Sequence, residues 1–297
     1  MECWSEGMME PRSPPLQYST TPILESISAA RNNPPAQFEH PRMSLRTLLT
    51  SAALLFTAFT AAIADPVYEL RIYTCNEGKL DALLARFRDH TCKLFEKHGM
   101  KNIGYWVPVD EENGSKTTLI YVLEHASKDA AKASFKAFGA DPEWQAARKA
   151  SEEGGKILAK APESIFMTPT AYSPALKIEK SGQPRVFEMR TYTTMPGKLD
   201  ALHARFRDHT MKLFSKHGMR HLAYWTPMEV ENKLIYILIH DSKEAGLASF
   251  TAFRADPDWI KAKGESEAAN GGPLTIQPQA EGVKSVYMNA TDFSPIK

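Results

Sequence analysis

The chain has little cysteine: of its 297 residues only Cys3, Cys75 and Cys92 carry a thiol, and no two have the close spacing of a zinc or redox motif. It also lacks a Gly-rich phosphate loop and a Gly-x-Ser-x-Gly nucleophile elbow, which leaves nucleotide binding and serine-hydrolase chemistry without a recognisable device. An excess of one charge sign is missing too. With 36 basic against 35 acidic side chains, nothing suggests nucleic acid or an anionic membrane as partner. No uninterrupted apolar run reaches the roughly 20 residues of a spanning helix.

What is present is repetition. Residues 78–100 and 197–219 differ at three positions only, Leu84 against His203, Cys92 against Met211 and Glu96 against Ser215. The same offset of 119 carries Tyr68-Glu69-Leu70-Arg71 onto Phe187-Glu188-Met189-Arg190, and Tyr105-Trp106 onto Tyr224-Trp225. After a four-residue deletion the match resumes at LIYVLEHASK and LIYILIHDSK, and it closes on Ile165-Phe166-Met167 and Val286-Tyr287-Met288. A period near 120 residues is too long for a solenoid and fits two whole domains.

Residues 43–64 have a short basic start, an apolar stretch and the triplet Ala62-Ile63-Ala64, the layout of a signal peptide cleaved after Ala64. An uncleaved anchor is the alternative. Cleavage makes the expected location periplasmic or secreted and leaves no integral span. Residues 1–42 are rich in Pro, Ser, Glu and Arg without periodicity and read as disordered. Because a signal peptide works at a free terminus, Met43 is the expected start and 1–42 a spurious extension; the alternative is a genuine leader beginning at Met1.

Each copy yields the same elements. Tyr68, Leu70 and Ile72 alternate with Glu69, Arg71 and Tyr73, the period of two that marks a strand. A turn and a long amphipathic helix follow, with Leu80, Leu83, Leu84, Phe87, Thr91, Leu94 and Phe95 on one face and His98-Gly99 at its end. Two strands come next, Ile103–Val107 and Leu119–His125, separated by a turn that absorbs the deletion. Ser127 caps a second helix, Asp141-Pro142 opens another, and Ser164–Thr168 supplies the last strand. The expected fold class is α+β: two tandem ferredoxin-like β-α-β-β-α-β repeats, 65–174 and 185–297, with a linker over 175–184. Such sheets have helices on one face only, so two of them are expected to close an eight-stranded barrel as an internal pseudo-dimer. Exchange between two chains, a homodimer, would bury the same surface.

If the helix side of each sheet is the continuously apolar one, Ile120 and Val122 face the helices. The lumen then receives Glu69, Arg71, Tyr73, Tyr121 and His125, with Glu188, Arg190, Tyr192, Tyr236 and His240 from the second copy. A buried unpaired charge is very costly, so Glu and Arg must pair with each other, with water or with a ligand. One reading is an ion-pair network that fixes barrel geometry. The other is a polar pocket in which Arg anchors an oxygen while Tyr and His exchange protons.

The remaining chemistry-bearing residues have plainer expectations. His90, His98, His209 and His217 lack the acidic or thiol companions of a metal site and are read as capping or packing. Arg86, Arg88, Asp89 and Lys93 are read as a solvated helix face. Cys75 and Cys92 sit at opposite ends of the helix, at least about 20 Å apart, too far to bridge.

The Glu-x-Arg-x-Tyr strand, the Pro-Gly-Lys-Leu turn at 196–199, the His-Gly-Met helix end and the Gly-Tyr-Trp strand at 104–106 together resemble the NIPSNAP family. The likeness covers 67–173 and 186–295. It implies the dimeric α/β-barrel fold, shared with antibiotic-biosynthesis monooxygenases, haem-degrading enzymes and several isomerases, and so no single activity. Animal members of the family are linked to mitochondria and to protein interactions, from which a secretory signal is a departure. Two functions are expected to compete. One is an exported barrel that binds, and as a cofactor-independent oxygenase or isomerase converts, a small aromatic or carbonyl-bearing ligand. The other is a non-enzymatic module with a structural barrel and a protein partner. No cofactor is expected; fold analogy supplies haem as an alternative, with His125 or His240 as its ligand.

Overall fold

The structure, a computed structural model, describes residues 65–183 and 185–297. The leader expected over 1–42 and the signal segment over 43–64 lie outside the described residues. Strand β1, Val67–Thr74, leads into a helical run of α1, Leu80–Arg86, a π-helical turn, Phe87–Thr91, and α2, Cys92–Lys97. Strands β2, Lys101–Pro108, and β3, Thr118–His125, follow, then α3, Lys128–Ala140, α4, Pro142–Ser151, and β4, Glu163–Pro169. The second half repeats this order. It runs β5, Val186–Thr193, then α5, Leu199–Arg205, the π turn Phe206–Thr210, and α6, Met211–Lys216. It continues with β6, Arg220–Pro227, β7, Lys233–His240, α7, Lys243–Ala255, α8, Pro257–Ala269, a short α9, Gln279–Gly282, and β8, Val283–Ala290.

Local chemistry sets the boundaries. The Ser127 and Ser242 hydroxyls accept from the Ala130 and Ala245 amides, and Asp141 and Asp256 accept from Glu143 and Asp258 ahead of a proline in the first turn. The π turns were not legible as breaks in the amphipathic pattern. In each, a threonine hydroxyl donates to the carbonyl five residues back, Thr91 to Arg86 and Thr210 to Arg205, both 3.1 Å.

The strands close one antiparallel barrel in the order β1-β3-β2-β8-β5-β7-β6-β4. Within a half the ladders are long: Val67–Thr74 pairs residue by residue with His125–Thr118. Between halves they are short, three pairs from Trp106↔Ala290 to Pro108↔Met288 and three from Met167↔Pro227 to Pro169↔Trp225. Matching bulges at Asn102/Gly104 and His221/Ala223 bend β2 and β6.

Three apolar clusters are formed among the described residues, and they invert the expected faces. The first draws on all eight strands and no helix: Leu70, Ile120, Val122, Trp106 and Met167 meet Phe187, Met189, Trp225, Ile235, Ile237 and Met288. That is the lumen, and it is lined by apolar side chains. The other two each join one half's helices to the opposite face of its sheet, bringing Leu119, Tyr121 and Leu123 under Leu83, Phe87 and Phe95, and likewise in the second half. The ten residues expected in the lumen therefore lie on the helix-facing side of the sheet. A closed eight-stranded lumen is filled by side chains and takes the apolar face, aliphatic and aromatic, whereas the helix layer reaches solvent at its margins and tolerates Arg, Tyr and Ser.

Candidate functional site between sheet and helices

Glu69 organises the polar part of the first half. It projects from β1 toward the helices and is almost fully buried, at 1 % exposure. One carboxylate oxygen accepts from Arg71 Nη1 and from Ser164 Oγ at 2.6 Å; the other lies 3.0 Å from His125 Nε2. Burial acts to raise the Glu69 carboxyl, but His125, Arg71 and Ser164 outweigh it and hold it below its ordinary value. The Arg71 guanidinium lies 4.6 Å from the Phe135 ring centroid, which places α3 over the ion pair.

The second half repeats the constellation. Glu188, 0 % exposed, accepts from Arg190 Nη1 at 2.6 Å and Ser285 Oγ at 2.5 Å, with His240 Nε2 at 2.9 Å. Arg190 lies 4.1 Å from the Phe250 centroid. Glu188 is likewise held low by His240, Arg190 and Ser285 against the effect of burial. Ser164 and Ser285, like Phe135 and Phe250, were not singled out in the sequence. The available signal was their recurrence at matching places in the two copies.

Tyr73 and Tyr121 sit one step along the same face, edge to face at 5.3 Å, and Tyr192 and Tyr236 are tilted at 5.5 Å. Arg71 stands opposite Tyr121 in the β1–β3 register and Arg190 opposite Tyr236. Burial raises the Tyr121 and Tyr236 phenols well above their ordinary value. Beside each Glu–Arg pair, three of the buried polar atoms without a partner within the protein recur: Arg71 Nε, Tyr121 Oη and His125 Nδ1, and Arg190 Nε, Tyr236 Oη and His240 Nδ1. So all ten expected residues gather, five in each half, as one Glu–Arg–His–Ser hub with two tyrosines beside it.

The other polar residues divide. His98 and His217 contact the cap residues Asp141 and Asp256 at 2.7 and 2.6 Å, so they tie helices together. Arg86 is not solvated: its side chain is 3 % exposed, donates to Ser151 Oγ at 3.1 Å and lies 5.2 Å from the Trp144 centroid. It forms part of a groove of about 290 Å³ between α1 and α4, lined also by Ala82, Ala85, Ala147 and Ala150. Cys75 and Cys92 are both free, and burial pushes their thiols up to about 11 and about 12.

The hubs do not fit a haem. His125 and His240 are each 2 % exposed, their Nε2 atoms are engaged by Glu69 and Glu188, and the His125 ring packs between Phe135 and Phe166. No group of three or more His, Cys, Asp or Glu suited to a metal occurs among the described residues. No helix among them is long and apolar enough to cross a membrane.

Among solved structures, a Fusobacterium nucleatum protein named "Putative monooxygenase" is similar in fold: 13 % identity, 76 % of this chain and 93 % of that chain covered, TM-score 0.51. A NIPSNAP domain protein from Burkholderia xenovorans matches 37 % of this chain and 99 % of its own at 22 % identity, with a TM-score of 0.31. "Protein NipSnap homolog" of Dictyostelium discoideum is 30 % identical over 145 residues, 48 % of this chain and 56 % of that protein, so the chain spans little more than half its length. The NIPSNAP family profile matches residues 68–174 and 187–272, one segment in each half of the barrel. On that match the chain belongs to the NIPSNAP family.

Proposed function

We propose that the protein binds a small organic ligand, aromatic or carbonyl-bearing, in the layer between sheet and helices. The observation that carries this reading is the repeated set of unpartnered buried atoms, Arg Nε, Tyr Oη and His Nδ1, beside each Glu–Arg pair. Buried polar atoms in folded proteins nearly always find a partner, in the protein, in water or in a ligand. Here a guanidinium N–H, a phenol hydroxyl and an imidazole nitrogen recur together, a set suited to an oxygen-bearing ring. Turnover at such a hub would be proton transfer, the chemistry of an isomerase or a cofactor-independent oxygenase. The "Putative monooxygenase" contributes a fold to this reading and no activity.

Each half is read as one ferredoxin-like unit and the barrel as their internal pseudo-dimer, on the support of the matching element order. Residues 65–174 and 185–297 are proposed as the two domains, with 175–184 as linker, and export by the segment at 43–64 is proposed from its sequence alone.

Native mass spectrometry on protein purified from its producing organism, with an absorption spectrum alongside, tests the ligand reading. A retained mass that Arg71→Ala and Arg190→Ala lose without unfolding is the expected result. An apo mass, and no stabilisation in a screen of phenols and ketones, rejects it in favour of a protein-interaction module. One observation favours that second reading: Met195, Met228, Val230, Leu247 and Ile260, all in the second half, are exposed large apolar side chains.

A further inference from the structure

The two halves are not chemically equal, and the inequality concentrates at one place. The segment after β4 crosses to the second half, where Tyr172 Oη lies 2.8 Å from His203 Nδ1 on α5. His203 Nε2 lies 3.3 Å from Thr226 Oγ1 on β6. The corresponding positions over the first half are Phe293, Leu84 and Val107, which join that half's apolar cluster. Three separate segments have thus changed from apolar to polar together. Beside them Tyr224 Oη meets His221 Nδ1 at 2.6 Å, where the first half has Tyr105 and Asn102.

Packing alone does not account for this set, because Phe, Leu and Val fill the same space in the first half without a desolvation cost. All three polar residues are only half-buried, so solvent or a ligand reaches them. We propose that Tyr172–His203–Thr226 is a proton-accepting site for an acidic hydroxyl, such as that of a phenol or enol, and that only the second half carries it. The inference rests on the ligand-binding reading above and names the half and the acceptor.

Transfer to the imidazole requires one tautomer of His203. With Tyr172 donating to Nδ1, the ring proton sits on Nε2, 3.3 Å from Thr226 Oγ1. The Tyr172 oxygen keeps lone pairs for a ligand hydroxyl. As the ligand O–H bond breaks, its proton passes to Tyr172 Oη while the phenol's own proton passes to Nδ1. The products are a ligand oxyanion and an imidazolium whose Nε2–H donates to Thr226. Burial holds His203 below the ordinary histidine value and so opposes the imidazolium, an effect that the ligand oxyanion and Asp200 must offset; Arg207 acts on Tyr172.

para-Nitrophenol is the probe, because its anion is yellow and its acid is not. Full-length protein is titrated with it below the phenol's own pKa, and total binding is measured by equilibrium dialysis. The expected result is bound nitrophenolate in the parent, lost in His203→Leu and in Tyr172→Phe while dialysis binding stays within about tenfold. These variants install the residues the first half folds with, and circular dichroism checks them. Absence of the yellow band in the parent, or its persistence in either variant, overturns the proposal. So does loss of binding together with the band, which marks the triad as an ordinary contact. The retained-ligand measurement at Arg71 and Arg190 is independent of each of these outcomes, so the broader reading stands or falls separately.

Discussion

Ser294, in the tail that follows β8, accepts a hydrogen bond at 3.0 Å from the backbone amide of Tyr105, 189 residues earlier and in the other half. Its hydroxyl donates in turn to the Ile296 carbonyl at 2.8 Å, and the residue is 0 % exposed. Ser173 does the same for the Tyr224 amide at 2.9 Å, so each half is braced by the tail of the other. Ser294→Ala leaves a buried amide unpaired and is expected to cost about 1–3 kcal/mol in urea unfolding.

The carboxylate hubs make a stronger demand. Glu188→Gln removes the counter-charge of Arg190, whose side chain is 12 % exposed, and is expected to destabilise by about 3–5 kcal/mol. Glu69→Gln acts on Arg71 in the same way. A denaturant midpoint unchanged in both would remove the ion pairs from any structural role.

Stability follows acid in a defined direction. Glu69 and Glu188 are both held below their ordinary value in the folded state, so the folded protein binds fewer protons than the unfolded one in that range. Their contribution is fully present above the unfolded glutamate value of about 4.3 and is lost as pH falls through the lower folded values. Unfolding midpoints measured across the acid limb are expected to fall steeply in the parent and less steeply in the double Gln variant.

Tyr121 separates a structural role from a binding role. Its phenol oxygen has no protein partner, so Tyr121→Phe is expected to leave stability within about 0.5 kcal/mol while weakening retention of a bound ligand. The lumen behaves oppositely. Val122, next in sequence, faces it fully buried, and Val122→Asp is expected to abolish soluble folding because no partner for the charge is within reach.

Gly104 tests the bulge in β2. A Cβ there would lie 2.3 Å from the Trp106 ring, although the second half carries Ala223 at the equivalent place. Gly104→Ala is expected to force Trp106 to move, costing about 1–3 kcal/mol and altering tryptophan fluorescence.

Much of this architecture was legible in the residues. The internal repeat, the period of two around Leu70, the Ser127 cap and the Asp141-Pro142 helix start each reflect short-range chemistry, and each element lies where that chemistry put it. The side of the sheet was not legible. Alternation separates Ile120 and Val122 from Tyr121 and Leu123, but both faces are buried, and only barrel closure decides which one is sealed from water. Arg86 failed for a related reason: charge on an amphipathic helix suggests solvent, whereas Trp144 and Ser151 on α4 cover it. The ten hub residues could be named in advance because an alternating strand must put Glu69 and Arg71 on one face. Their serine partners come from β4 and β8, nearly 100 residues away, and no local pattern links them.

The two seams that close the barrel are only three residue pairs long. Two separate chains meeting along them would assemble in proportion to their abundance and come apart on dilution. Carried on one chain, the halves meet at an effective concentration set by the connecting segment, of order millimolar for a short flexible tether. Closure of this barrel then does not depend on how much protein is made.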